Sequence, residues 1–225
     1  MSLGQPRALV FDWDNTLVDT WRVIHHALTK TFIAMEETPW TIEEVRQRVR
    51  RSARESFPLL FGPRADEATR IFYAAFEADH LELLRPLAGA EDLLRDLAHC
   101  EGLYRAVLSN KLGHLLRREV THLGWTPLFT KLVGANDAKL DKPARDALEM
   151  ALEAEDLRPG PDVWVIGDTD VDIACGVQHG CKAVLVRPEP PVTGEFPEAR
   201  PHAHVRNCAE LKVLLADSGL KFRAG

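Results

Sequence analysis

A short apolar run recurs five times along this chain, each time followed by a polar or small residue, and nothing else in the sequence constrains the fold as strongly. The runs are Arg7-Ala-Leu-Val-Phe-Asp12, Tyr104-Arg-Ala-Val-Leu108 before Ser109, Lys131-Leu-Val133 before Gly134, Val163-Trp-Val-Ile166 before Gly167, and Lys182-Ala-Val-Leu-Val186. They do not alternate apolar with polar, so both faces of each strand must be covered, as in a parallel sheet between helical layers. Helical periodicity fills the gaps between the later runs. It is expected over Glu91 to Cys100, over Leu112 to Leu123 with a stop at Gly124, and over Pro143 to Glu155 with proline at a permitted first-turn position. Strands alternating with helices imply an α/β fold, a Rossmann-like doubly wound parallel sheet.

Between the first and second runs this rhythm breaks. From Trp21 to Leu84 there is no strand pattern, only three expected helices. Trp21, Ile24, Leu28, Phe32 and Met35 keep helical spacing; Thr41-Ile-Glu-Glu44 is a capping box opening a second helix; Ala65 to Leu84 carries a third, with Phe72 and Phe76 one turn apart. The expected organisation is a core from residues 1–20 and 87–225 and an inserted all-helical cap domain over 21–86, with hinges near Asp19 to Trp21 and Arg85 to Gly89. Arg187 to Arg200 is rich in proline and expected to be irregular, after which Asn207 caps a last helix running through Ala216.

Composition narrows the partners. Hydrophobic residues make up 45% and charged residues 28% of 225, enough to bury a sizeable core. A net charge of -6 without a basic block argues against nucleic acid or an anionic membrane as partner. No stretch approaches the roughly 18–20 apolar residues that span a bilayer. The 4 cysteines lack the spacing of a zinc site or a disulfide framework and fit a reducing compartment, so a cytoplasmic location is expected.

In an open α/β sheet, ligands gather beyond the carboxyl ends of the strands. Those ends carry Asp12 and Asp14, then Ser109 and Asn110, then Gly167, Asp168, Thr169, Asp170 and Asp172, with Lys142 entering from the start of a helix. Carboxylates gathered at one place repel and require a compensating cation. Asp12, Asp14, Asp168 and Asp172 together call for a hard divalent ion, and oxygen ligands with room for water and a phosphate oxygen suit Mg²⁺. Asp168 and Asp172 have a plainer alternative as caps of a helix from Val171 to His179.

Phe11-Asp-Trp-Asp-Asn-Thr-Leu-Val-Asp-Thr20 resembles the DxDxT signature of haloacid dehalogenase-type phosphatases. Ser109 after a strand is similar to their second motif, Lys142 in Asp141-Lys-Pro143 to the third, and Gly167-Asp-Thr-Asp-Val-Asp172 to the fourth. The order and spacing agree along the whole chain. The resemblance implies that Asp12 attacks phosphorus and forms an aspartyl-phosphate. It implies that Asp14 protonates the leaving alkoxide and then activates the hydrolytic water. Asp12, the backbone carbonyl of Asp14 and Asp168 would hold Mg²⁺, with Asp172 orienting a metal-bound water. Ser109 and the amide of Asn110 would bind phosphoryl oxygens, Lys142 would neutralise Asp12 and phosphate, and Thr16 would fix the loop. The substrate implied is a small phosphorylated metabolite. Phosphoglycolate phosphatase-like enzymes are the branch favoured by the size of the insert and its Ser-Phe-Pro-Leu-Leu-Phe-Gly62 run.

Two positions depart from the pattern. Trp13 replaces a smaller apolar residue and is expected to narrow the leaving-group pocket, while Asn15 replaces glycine but tolerates left-handed angles. Gly176 stands where alanine is frequent, for close helix packing. Arg46, Arg48, Arg50, Arg51 and Arg54 cluster in the insert, either as a solvated helix with Glu44 and Arg48 paired or as readers of a second anionic group. His25, His26, His114, His122 and His179 lack ligand company, and Trp40, Trp125 and Trp164 read as packing. Competing functions are carbon–halogen hydrolysis, for which Asp14 is superfluous, a sugar phosphomutase using the same residues, a non-catalytic phospho-receiver, for which Asp14 and the insert have no use, and a silent scaffold of the same fold, against which the full set of reactive groups counts.

Overall fold

The computed structural model describes residues 3–49, 53–155, 157–197 and 199–222, with backbone alone for 53–55. The chain divides into two compact units, Met1–Val18 with Pro86–Gly225, and Asp19–Arg85.

The first unit is built on a six-stranded sheet: β1 Ala8–Phe11, β2 Tyr104–Leu112, β3 Lys131–Ala135, β4 Val163–Gly167, β5 Lys182–Val186 and β6 Ala203–Val205. The strands lie in the order β3-β2-β1-β4-β5-β6 and every recorded pairing is parallel. This is the doubly wound arrangement, in which strand order reverses on either side of β1. Ala8, Leu9, Val10 and Phe11 are all fully buried, which is why β1 shows no alternation. Five of the strands are those that the apolar runs predict. The sixth is a correction to the sequence reading: Ala203-His-Val205 offers only three residues, one of them histidine, and pairing with β5 rather than apolar content makes it a strand.

Among its described residues the second unit holds, apart from its end residues, helices and the turns between them: α1 Trp21–Ala34, α2 Ile42–Arg48, α3 Ala53–Phe61 and α4 Ala65–Leu83. Among the described residues four α-helices stand where three helices were expected. The missed one, α3, contains Pro58, a residue that removes a helix hydrogen bond and normally argues against a helix. Packing overrides that cost, because Phe57 and Phe61 meet edge-on at 5.2 Å while Phe57 also meets Phe72 at 5.4 Å and Phe61 meets Phe32 at 5.4 Å. The capping box of α2 forms as its sequence dictates, with Glu44 N donating to Thr41 Oγ1 at 3.2 Å and Thr41 N to Glu44 Oε2 at 2.9 Å.

The remaining helices flank the sheet: α5 Ala90–Ala98, α6 Gly113–His122, α7 Arg145–Leu152, α8 Asp170–Gln178 and α9 Cys208–Asp217. One face of the sheet, with Ala8, Val10, Ala106, Leu108, Val163 and Val165, joins Ala147, Leu148, Ala151 and Leu152 of α7 in a continuous core. A Cβ on Gly176 would lie 2.9 Å from that of Ala183 and 3.2 Å from that of Val165, so α8 packs close on β4 and β5 as the glycine suggests. Helix α7 starts two residues later than Pro143 predicts, after an extended Ala144. All four cysteines are free and buried. Among the described residues no helix is long and apolar enough to cross a membrane.

Candidate active site

Strand β1 delivers Asp12. Its amide donates to the Ile166 carbonyl at 2.8 Å, so the ladder with β4 extends one residue past Phe11 and fixes where the carboxylate begins. The carboxylate is buried and accepts from Lys142 Nζ at 2.6 Å. The same ammonium donates to Asp172 Oδ1, also at 2.6 Å. The second oxygen of Asp172 accepts from Thr169 N at 3.0 Å and from Thr169 Oγ1 at 2.7 Å, closing the first turn of α8. The capping role considered for Asp172 is therefore real, and it coexists with the bond to Lys142. Gly167 is required here because a Cβ would stand 2.2 Å from Asp172 Cγ. Asp168 Oδ1 accepts from Thr16 Oγ1 at 3.4 Å.

Oxygen atoms of Asp12, Asp168 and Asp172 lie within 4.8 Å of one another. Burial pushes the Asp12 carboxyl up to about 7; Lys142 works in the opposite sense, and Asp172 and Asp14 push it further up. Asp168 is driven well above the usual carboxylate range by burial first, then by Asp12 and Asp172. For Lys142 burial disfavours the charge, but the two aspartates outweigh it and the ammonium is held charged. One lysine does not balance three clustered carboxylates. An all-oxygen donor set with excess negative charge fits a hard divalent cation such as Mg²⁺.

The loop after Asp12 carries the second acid. Leu17 N and Val18 N both donate to the Trp13 carbonyl, at 3.0 and 3.2 Å, and Asn15 takes a φ of 59°. Asparagine thus occupies the left-handed position that its short side chain tolerates. The carboxylate of Asp14 stands apart from the three-acid cluster and meets Lys111 Nζ at 2.6 Å. On β2, pairing with β3 is regular over Ala106–Leu108, slips, and resumes at Leu112 opposite Ala135. Ser109, Asn110 and Lys111 fall in the irregular stretch, where a bulge re-aims side chains. Ser109 Oγ accepts from Lys111 N at 3.2 Å, and Asn110 Nδ2 donates to the Lys142 carbonyl at 2.9 Å. That bond, with the pull of two aspartates on Nζ, holds residues 142–144 out of α7; Lys142 enters from a loop, not from a helix start as the sequence suggests.

Other expectations are redistributed. Trp13 narrows no pocket: its side chain is wholly buried, its Nε1 donates to Glu119 Oε2 at 2.6 Å, and its ring meets Trp125 edge-on at 5.8 Å. In the helical unit Arg48 pairs with Glu44 at 3.0 Å and covers the Trp40 ring at 4.8 Å, the structural alternative for that arginine. Arg50 and Arg51 lie outside the described residues, as does the side chain of Arg54. His25 and His179 bond the carbonyls of Trp40 and Pro143, and His26 pairs with Asp79. Sequence reasoning missed Lys111 and Glu119. A signal existed for the second: Glu119 falls four and three residues after Leu115 and Leu116 and one before Val120, on the buried face of α6. A carboxylate there needs a cation, and Lys111 is the one it finds.

Comparison with known proteins gives the family and the fold. Residues 9–186 match the haloacid dehalogenase-like hydrolase family. The phosphoglycolate phosphatase of Cereibacter sphaeroides is 30% identical over 190 residues, 79% of this chain and 83% of its own. The pyrophosphatase PpaX of Halalkalibacterium halodurans is 24% identical over 178 residues, 79% of this chain and 82% of its own. Among solved structures, the haloacid dehalogenase-like family hydrolase SP0104 of Streptococcus pneumoniae shares the fold with a TM-score of 0.81 at 20% identity, covering 95% of this chain and 99% of that one. Strand order, motif order and these likenesses lead to one conclusion: the chain belongs to the haloacid dehalogenase-like hydrolases and is an enzyme of their phosphatase type.

Proposed function

We propose that the chain is a Mg²⁺-dependent phosphatase that hydrolyses a small phosphomonoester through an aspartyl-phosphate on Asp12, with phosphoglycolate phosphatase-like specificity. The observation that carries this reading is the ammonium of Lys142 bonded at 2.6 Å to both Asp12 and Asp172 inside a three-carboxylate cluster. Such a group binds a cation and a phosphate together, and no packing purpose explains its burial.

In the first step an Asp12 oxygen attacks phosphorus, the phosphorus–oxygen bond to the leaving group breaks, and Asp14 gives that oxygen its proton. In the second, Asp14 takes a proton from water as the water oxygen attacks phosphorus. The bond to Asp12 then breaks, releasing phosphate and restoring the Asp12 carboxylate and the protonated Asp14. Lys142 lowers the charge that Asp12 and the phosphoryl group present to each other, and Ser109 with the Asn110 amide binds phosphoryl oxygens. Thr16 steadies the loop through its bond to Asp168. Mg²⁺, which Asp12, the Asp14 carbonyl and Asp168 would hold with Asp172 beside them, would supply positive charge where the phosphoryl group carries negative charge. Residues 21–86 act as a cap that decides which phosphomonoester is accepted.

A panel of phosphomonoesters including 2-phosphoglycolate, assayed with Mg²⁺ and after chelation, tests the proposal. Release of phosphate that stops on chelation and is lost by several orders of magnitude in Asp12→Asn is expected. Turnover indifferent to chelation, wild-type rates in Asp12→Asn, or isomerised sugar phosphate in place of free phosphate would overturn it.

A further inference from the structure

A buried polar chain runs from the hydrophobic interior to the second acid of the site. Trp13 Nε1 donates to Glu119 Oε2 at 2.6 Å, Lys111 Nζ donates to the same oxygen at 2.6 Å, and Lys111 Nζ also donates to Asp14 Oδ1 at 2.6 Å. The exposure of the side chains is graded along it: 0% for Glu119, 5% for Lys111 and 27% for Asp14. We propose that Lys111 is a positioning residue for Asp14, itself held in place by Glu119 and Trp13. The proposal rests on the reading that Asp14 is the proton shuttle.

Stability alone gives this chain no reason to exist. A buried ion pair is seldom more stable than apolar residues of similar volume, because desolvation cancels most of the attraction. Here three charged groups and an indole N–H stand where Leu115, Leu116 and Val120 already form an apolar helix face. The one end that reaches solvent is the carboxylate of Asp14. The loop bonds onto the Trp13 carbonyl fix the backbone of Asp14 but not its side-chain torsions. An aspartate that must serve the leaving oxygen in one step and water in the next needs one preferred carboxylate orientation. Lys111 supplies it by anchoring Oδ1, and Glu119 keeps the lysine from swinging to solvent. Trp13, immediately before the acid, ties the chain into the core against Trp125. The tryptophan that departs from the family pattern and the glutamate that departs from the helix pattern thus become parts of one device.

The leaving group decides between a positioning and a merely structural role. Nitrophenolate departs without a proton, whereas an alkoxide needs one, so misplacing the acid penalises alkyl phosphates selectively. The measurement is kcat/KM, which reports formation of the aspartyl-phosphate, for an alkyl phosphate, phenyl phosphate and p-nitrophenyl phosphate. Enzymes compared are wild type, Lys111→Met, Glu119→Gln, Trp13→Phe and, as reference, Asp14→Asn, with circular dichroism as the folding control. Lys111→Met is expected to lose roughly 10²-fold on the alkyl phosphate and under about tenfold on p-nitrophenyl phosphate. Glu119→Gln and Trp13→Phe should show the same selectivity in smaller degree, and they carry the test if Lys111→Met fails to fold. Equal losses on all three substrates, or none, in folded variants would overturn the proposal. If Asp14→Asn shows the selectivity and the chain variants do not, the positioning role alone falls; if Asp14→Asn lacks it too, the proton-shuttle reading falls with it.

Discussion

Lys142 carries the electrostatic balance of the site. Its ammonium is the cation bonded to both Asp12 and Asp172, and removing it leaves two buried carboxylates facing a third. Lys142→Met keeps the length of the side chain without its charge. The expected result is a loss of roughly 10²–10³-fold in kcat/KM at saturating Mg²⁺, with secondary structure by circular dichroism unchanged. Activity within tenfold of wild type would show that the lysine is dispensable. Lys142 was legible because Asp141-Lys-Pro143 sits between two strands at a characteristic distance from the acids. Lys111 was not, although its ammonium is likewise buried and bonded to two carboxylates. A lysine beside Ser109 and Asn110 looks like a solvated strand end until the β2–β3 slip turns it inward, and that slip depends on β3, distant in sequence.

At the scale of elements, local signals were reliable where the local energy is large. Asn207 was expected to cap α9, and its side chain accepts from Glu210 N at 3.0 Å, while Arg206 reinforces the turn by pairing with Glu210. Asn207→Ala should lower stability by about 1 kcal/mol, read as a shift in the urea midpoint with unchanged slope, and leave kcat untouched. An unchanged midpoint would mean that the last helix frays without consequence. Local signals failed where tertiary contacts decide. Pro58 hid α3 because the contacts of Phe57 with Phe72 and of Phe61 with Phe32 are made with residues distant along the chain. Pro143 suggested a helix start, but Lys142 is drawn to the carboxylates and Ala144 stays extended, so α7 begins at Arg145.

At the scale of the whole molecule, the order β3-β2-β1-β4-β5-β6 explains why residues so far apart in sequence form one site. Phe11 is in register with Val107 on β2 and with Ile166 on β4, so Asp12, the polar stretch from Ser109, and Asp168 fall at the same carboxyl-terminal end of three adjacent strands. Five apolar runs were enough to foresee this convergence. They could not give the chain of contacts from Trp13 to Asp14, which joins residues of three elements. The claim on which all of this depends is that the Asp12 carboxylate becomes covalently attached to phosphorus. It is tested most directly by quenching the enzyme with acid during turnover of an accepted phosphomonoester, reducing with borohydride and mapping the digest by mass spectrometry. An aspartyl-phosphate is reduced to homoserine, and the prediction is homoserine at position 12, absent without substrate and absent in Asp12→Asn. An unmodified Asp12 in enzyme quenched at steady state under conditions where the intermediate accumulates, or homoserine at a different aspartate, would contradict the account.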